Sequence, residues 1–518
     1  MEPINKYIAG TPPLESGVKK YTHDEFLKVE RSFGSFLDLF GLILYPITQE
    51  EIDEGLNNND LNRRYREGDI RRYKATEADA SPALQIAIEV MERHGGGQVY
   101  IPAGTWGITA AHSMRDGVWV IGEGYGSHLR LIDGASFTNN IIKFETITGA
   151  GVQNIRLDGN RANTGGGTRY GIYFGSATKC AVLHCYVHSF IGDAIHLYSS
   201  DNATCIGNYA WDNGFHGIEL EQLRDSVCNS NVSVSNDIHG IYIFEGEVSA
   251  SGSKRLVVNG NTCDHNTQSG IVVQGSLTED VTITANNCSY NEERGIMFFD
   301  RCRGIVCNGN IISYNGQFGI YMYRITNSII TSNRLLNNST SSNGGYSEIL
   351  WEGDATQYSM YNLFEGNTVL IDSGGNKSAY GMKEGSINDG PNIVRGNNVP
   401  LSGTAGTIAV LHETGANSSF SLCRGNIGRV DENGGLASFN GNFGAGTFFF
   451  DIAHGLTTDE PRKYSVTPAS DAAGTNGTGG GDASFYCTSD ATNIRVIFKN
   501  YIPPTGTNNV AFRWKAEH

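Results

Sequence analysis

Two glutamates with one residue between them, Glu219 and Glu221, lie in the segment FHGIELEQ. The segment GDAIHLYS, upstream, carries Asp193, His196 and Tyr198. The segment IHGIYIFEG, downstream, carries His239, Tyr242 and Phe244, and His216 precedes the first glutamate by three. Neighbouring carboxylates drive their pKa values apart, so one can deliver a proton while the other accepts one or attacks. Imidazoles nearby can tune that pair or act as bases themselves. Aromatic rings beside them offer flat apolar faces of the kind a sugar ring packs on.

These segments are one pattern written three times. Their anchors, Ala194-Ile195, Gly217-Ile218 and Gly240-Ile241, are 23 residues apart. The series begins at Gly171 and continues through Gly270, Gly295 and Gly319, with gaps of 30, 25 and 24 after Gly240. Two asparagine columns keep the same register: Asn208, Asn231, Asn261, Asn286, Asn310 and Asn333, then Asn213, Asn236, Asn266, Asn291 and Asn315. A fixed period in the twenties denotes one unit stacked on copies of itself. The asparagines read as a structural ladder, through amide bonds between rungs and tolerance of left-handed turns. The gap of 30 places an insertion near Glu247 to Arg255.

Strand side chains alternate, so the residue after each anchor Gly points inward and the next one outward. His196, Glu219 and Tyr242 then form one outer column, and Tyr198, Glu221 and Phe244 a second, with rungs about 4.8 Å apart. Arg294, just before Gly295, and Tyr323 extend the same positions along the stack. The residues before the anchors, Asp193, His216 and His239, sit in a bend whose direction the alternation does not fix.

The chain of 518 residues has room for two or three domains. It carries 66 Gly and only 18% charged residues, which suits short strands and tight turns. A net charge of −16 argues against a nucleic-acid partner, and no apolar run is long enough to predict a membrane span. The opening residues do not resemble a secretory signal. Cys205 and Cys228 are 23 apart and Cys263 and Cys288 are 25 apart, so these cysteines read as small apolar residues stacked in a core. No Cys-x-x-Cys pair and no compelling calcium motif occur, and no metal or other cofactor is expected.

Residues 1–68 read as an attachment or linker segment. Ser81-Pro82 opens a helix, with Ser81 as N-cap, whose Leu84, Ala87, Ile88 and Met91 share a face and whose end is Gly95-Gly96-Gly97. Such a helix covers the open first rung of a solenoid. The stack is expected over 69–370, with irregular final rungs and a linker over 371–440. Residues 441–518 read as a small antiparallel β domain, from the alternation in Phe448-Phe449-Phe450, Ile494-x-Val496-x-Phe498 and Val510-x-Phe512-x-Trp514.

The helix, the three glycines and Val99-Tyr100-Ile101-Pro102-Ala103-Gly104-Thr105-Trp106 resemble the entry to the pectate-lyase-like right-handed parallel β-helices. Gly68-Asp69-Ile70-Arg71-Arg72-Tyr73 resembles the lead-in of bacteriophage tailspikes, and Leu157-Asp158-Gly159-Asn160-Arg161 fits the same group. The resemblance covers roughly residues 40 to 370 and implies an all-β fold: a right-handed parallel β-helix with a capping helix and a C-terminal antiparallel β domain. It also implies a homotrimer on a virion tail, attached to the phage tail or baseplate through its N-terminal segment and acting on bacterial polysaccharide outside the cell.

Three functions stay open at this level. In a glycoside hydrolase acting on capsule, O-antigen or exopolysaccharide, Glu219 and Glu221 are acid and base or nucleophile, with His196 and His239 completing the catalytic group. Asp193, Tyr198, His216, Tyr242, Phe244, Arg294 and Tyr323 then hold substrate. In a polysaccharide lyase or uronate epimerase, His196 or His239 works with Tyr242 as base and acid, although two glutamates would repel a uronate. In a binding-only adhesin the aromatic columns alone matter. A groove between chains, with Asp300, Arg301, Glu352 and Asp354, is a rival location for the site.

Overall fold

A computed structural model of the chain describes residues 65–135, 140–165, 170–246, 251–354, 356–370, 378–385 and 391–399, and beyond these the strands named below. The segment 1–64, and residues 247–250 of the expected insertion, lie outside the described residues. Among the described residues, three parallel sheets of thirteen, eleven and twelve strands run the length of the stack. A typical rung gives one strand to each, as in Thr204–Ile206, Tyr209–Trp211 and Ile218–Glu221. The expected register is observed: Ile195 pairs with Ile218 and Ile218 with Ile241, while His196 pairs with Glu219 and Glu219 with Tyr242. Ile195, Leu197, Ile218, Leu220, Ile241 and Ile243 all face the core. Cys205 lies beside Cys228 and Cys263 beside Cys288, all buried, as their spacing predicts.

The helix Ser81–Arg93 (α1) buries Leu84, Ala87, Ile88 and Met91 against the first rung. Ser81 is not its N-cap, however. That position is Ala80, and the Ser81 N–H donates to Asp79 Oδ1 at 2.9 Å. The Ser81 hydroxyl instead accepts the Thr109 N–H at 2.8 Å, tying the cap helix to the solenoid. A hydroxyl next to an unpaired strand edge is used there before it is used on its own helix.

The asparagine columns are ladders, by a mechanism different from the expected one. No ladder asparagine adopts a left-handed backbone; the residue before it does. Ser230, Gly260 and Ala285 turn the chain at φ 54, 64 and 53°, ahead of Asn231, Asn261 and Asn286. That turn points the asparagine inward. Asn231 Nδ2 then donates to Asn261 Oδ1 at 3.0 Å, and Asn261 Nδ2 to Asn286 Oδ1 at 2.9 Å. Each Oδ1 also takes the preceding asparagine's backbone N–H, as Asn231 N to Asn261 Oδ1 at 2.8 Å. The second ladder ends at Asn338, whose N–H and Nδ2 both donate to the buried carboxylate of Glu348. Replacing Asn261 by Ala strands two buried donors of Asn231, each worth about 1–3 kcal/mol. The expected loss is about 3 kcal/mol, read as a lowered denaturant midpoint; a midpoint equal to that of the native chain would refute the ladder's energetic role.

Past residue 370 the rungs continue through Tyr380–Glu384, Ile393–Arg395, Ile408–His412 and Leu422–Arg424. Two small antiparallel sheets follow. One pairs Val510–Glu517 with both Glu432–Phe439 and Lys463–Pro468; the other pairs Asn493–Phe498 with Phe449–Ala453 and Phe485–Ser489. Strand Glu432–Phe439, ahead of the expected boundary at 441, thus pairs within the antiparallel part. No helix among the described residues is long and apolar enough to cross a membrane.

Candidate active site

The third sheet carries the cluster. Its strands Ile195–Tyr198, Ile218–Glu221 and Ile241–Phe244 turn His196, Glu219, Glu221 and Tyr242 to the outer face, because the alternate positions are held by the core. The chain enters this sheet through a bend with no room for a side chain at the anchor. A Cβ on Gly217 would lie 1.8 Å from Ser233 Oγ and 2.7 Å from Asn236 Nδ2. The contacts of the preceding side chains settle the direction that strand alternation leaves open: Asp193, before Ala194, and His216 and His239, before Gly217 and Gly240, all turn to the cluster.

His196 is its centre. Its Nδ1 lies 3.0 Å from Asp193 Oδ2 and 3.3 Å from Glu219 Oε2, and its Nε2 lies 3.2 Å from Glu221 Oε2. Asp193 is 1% exposed and its Oδ1 accepts the His216 N–H at 2.8 Å. His196, His216 and Glu219 are also buried, so the face is a sunken polar cluster and not the open wall that the strand pattern alone predicts. Burial by itself would depress His196, but the hydrogen bonds to Asp193 and Glu221 overcome it and raise the ring to about 10. Burial, reinforced by the charge of Asp193, pushes the Glu219 carboxyl up to about 9. Burial also opposes ionisation of Asp193, yet the hydrogen bond from His196 prevails and holds it below the usual carboxylate range. At neutral pH the cluster therefore holds an imidazolium, a protonated Glu219 and an ionised Asp193.

The other two histidines are neutral donors. His216 Nδ1 accepts the His239 N–H at 3.3 Å, and His239 Nδ1 accepts the Ser269 N–H at 3.2 Å. A backbone N–H can only donate, so each ring carries its proton on Nε2. Burial lowers both, His239 to about 3 with help from His216 and Arg294. His239 thus offers an N–H to a ligand and no free lone pair, which corrects its expected role as a base. His196, already protonated and bonded on both nitrogens, is not a base either.

Aromatic rings frame the cluster. Tyr242 packs on His216 at 4.6 Å and on Phe244 at 5.3 Å, and its hydroxyl bonds Gln274. Tyr198 meets the His196 ring edge-on at 6.5 Å. Tyr170, which the motif reading does not single out, packs on His196 at 4.6 Å. It occupies the same position before Gly171 that Asp193 occupies before Ala194, so the period contained the signal. Tyr323 does not join: it stacks on Phe299, near Asp354, farther along the sheet. Arg294 lies over Tyr321 and reaches the cluster only through its effect on His239. In the rival group, Glu352 accepts the Tyr321 hydroxyl at 2.7 Å, Asp354 pairs with Arg324, and Asp300 pairs with Arg301 at 3.3 Å.

Among the described residues, two groups have metal-ligand spacing: Asp193, His196 and Glu219, and, on the second sheet, His128, Asp158 and His188. In the first, a cation would have to displace the protons of His196 and Glu219. In the second, Arg156 Nε donates to His188 Nε2 at 2.9 Å, which places the ring proton on Nδ1, the atom that faces Asp158. A cation in the second set would have to displace that Nδ1 proton, while the Asp158 carboxylate and His128 Nε2, which has no hydrogen-bond partner among the described residues, stay open to it.

Among known proteins, a profile described as a right-handed beta helix region matches residues 245–397, and one described as periplasmic copper-binding protein (NosD) matches 110–250. Mannuronan C5-epimerase AlgE1 of Azotobacter vinelandii is 30% identical over 185 residues, 32% of this chain and 13% of its own length. AlgE4 of the same organism has the same identity over 185 residues, which is 34% of its length. The chain therefore matches about a third or less of these two relatives. The A-module of Azotobacter vinelandii AlgE6 superposes with a TM-score of 0.59 at 23% identity, over 69% of this chain and 98% of that one. The Dettilon tailspike protein superposes at 0.56 and 13% identity, over 85% and 91%. These likenesses bear out the fold, a right-handed parallel β-helix.

Proposed function

We propose that the chain cleaves a bacterial surface polysaccharide by glycosidic hydrolysis. One observation carries this reading. Glu219 holds its proton at neutral pH, and Glu221, two residues on, lies against the opposite nitrogen of the same imidazole. Glu219 protonates the leaving oxygen, and Glu221 activates water or attacks the anomeric carbon. His196 is a positioning residue that holds both carboxyls, while the Nε2–H groups of His216 and His239 bind sugar oxygens. Tyr170, Tyr198, Tyr242 and Phe244 supply apolar faces for sugar rings.

A second reading is favoured by the names of the relatives, which are uronate epimerases. The His196 cation and the neutral Glu219 remove the repulsion that two ionised glutamates would exert on a uronate. Glu219 would then bond the sugar carboxyl and Glu221 would take the C5 proton. Incubation with capsule, O-antigen and uronate polymers separates the cases. New reducing ends without unsaturated-sugar absorbance support hydrolysis. New absorbance supports elimination, an altered sugar composition at constant length supports epimerisation, and binding alone supports an adhesin.

The pH profile gives a further test. Glu219 works protonated, so kcat/KM should be high below its raised pKa and fall as pH rises through about 9. An alkaline limb at or below pH 7 would remove Glu219 from the acid role. The tailspike-like architecture also supports a homotrimer on a virion tail attached through residues 1–68, testable by the mass of the full chain in solution.

A further inference from the structure

We infer that the outer face of the second sheet is a second saccharide-binding surface, one that takes an acidic polymer without acting on it. The inference rests on the reading of the chain as polysaccharide-acting, though not on which bond it makes or breaks. The face lies on the strands containing Leu129, Leu157, Val187 and Ala210, across the bend from the catalytic cluster.

Its aromatic residues are Tyr125, Tyr186, Tyr209 and Trp211. Tyr125 is 51% exposed and Tyr209 is also exposed. Tyr125 meets Tyr186 at 87° and Tyr209 meets Trp211 at 74°, while Tyr186 and Tyr209 on adjacent rungs lie near-parallel with centroids 6.5 Å apart. Trp211 is backed by His188, parallel at 4.0 Å, and is fixed in place. No core requirement puts four large rings on the outside of a sheet. The same side of the third sheet at the active site uses rings in the same density.

The charge on this face selects the ligand. Arg156 lies over Tyr125, 4.4 Å from the ring centroid, and spends its Nε on His188. Its two Nη groups have no hydrogen-bond partner among the described residues. A guanidinium so fixed presents a planar fork, the geometry that binds a carboxylate through two parallel bonds. In a chain of net charge −16, a held cation with a free fork among exposed rings fits a uronate carboxyl on a sugar packed against tyrosine. Arg156, donating to His188 Nε2, takes one of the ring nitrogens that a metal at that cluster would use. Because rungs are about 4.8 Å apart, close to the rise of an extended sugar chain, successive rings can meet successive sugars. The surface would retain the polymer between catalytic events and raise its local concentration.

The test uses the full chain and two probes, oligomannuronate and oligogalacturonate, in titrations that follow tryptophan fluorescence. Either probe should change the fluorescence, and the change should vanish in Trp211→Phe. Arg156→Gln should weaken that signal's affinity at least 10-fold, and a neutral oligoglucan should not compete. With the active site intact, Arg156→Gln should leave kcat/KM on short oligosaccharides unchanged and raise KM several-fold on long polymer. Absence of a Trp211-dependent signal with both uronates, or equal affinity in Arg156→Gln, would overturn the inference. Turnover lost in Glu221→Gln with the Trp211 signal kept would show the two sites failing separately.

Discussion

Glu219→Gln and Glu221→Gln should each lose about 100- to 10,000-fold in turnover, the range for an acid or base group. The two losses arise differently. Glu219 is protonated at neutral pH, so glutamine copies its shape and charge and only the deliverable proton disappears. The unfolded carboxyl is ionised at pH 7 while the folded one is protonated, so the native chain takes up a proton on folding there and Glu219→Gln, which takes up none, should be the more stable. A group whose folded pKa is raised contributes stability that is fully present below its unfolded pKa and is lost as pH rises to the folded value. The native chain should therefore lose stability from the ordinary carboxylate range up to about pH 9, and Glu219→Gln should lose less. Glu221→Gln removes the carboxylate on His196 Nε2, so the imidazolium keeps only its Asp193 side. Measured kcat together with thermal midpoints at pH 4, 7 and 9 decides the matter. Full activity in both variants would dismiss these residues as the catalytic pair.

The parts of this molecule that repeat could be read from the chain. The Gly-Ile anchors, the asparagine columns and the inward positions all follow from a period near 23 and from strand alternation. What escaped was decided by turns. Whether Asp193 and His216 turn to the cluster is decided in the bends at Ala194 and Gly217, and period-two logic does not reach into a bend. The same gap explains the asparagines: the sequence marks them, but the left-handed residue is the one before, whose type varies from Gly, Ala and Ser to Asp, His and Tyr. Tyr323 failed for a different reason. It obeys the column but belongs to a later rung, so sharing an outer position did not make it a neighbour of the cluster. Burial of the cluster was also illegible, since it comes from Tyr170, Tyr173 and Tyr242 closing over rings on adjacent rungs.

His196→Ala should be the most damaging single change to stability at the site. The imidazolium is the one cation among Asp193, Glu219 and Glu221, and Asp193 has almost no contact with solvent. Removing one partner of a buried ion pair costs about 3–5 kcal/mol, because the other charge is left without compensation. Asp193 can escape by taking a proton, which gives the loss a pH signature. In the native chain its folded pKa is lowered, so its contribution is present above the ordinary carboxylate range and disappears as pH falls. Without His196 the buried carboxyl is raised instead, and its contribution disappears as pH rises. The gap between native and variant should thus be widest near neutral pH and shrink towards pH 4. It should narrow again as pH rises from the ordinary histidine range to about 10, where His196 itself gives up its proton. Denaturant midpoints at pH 4, 7 and 10 test this; a gap that is constant with pH would mean that His196 is packing and not the counter-charge of the cluster.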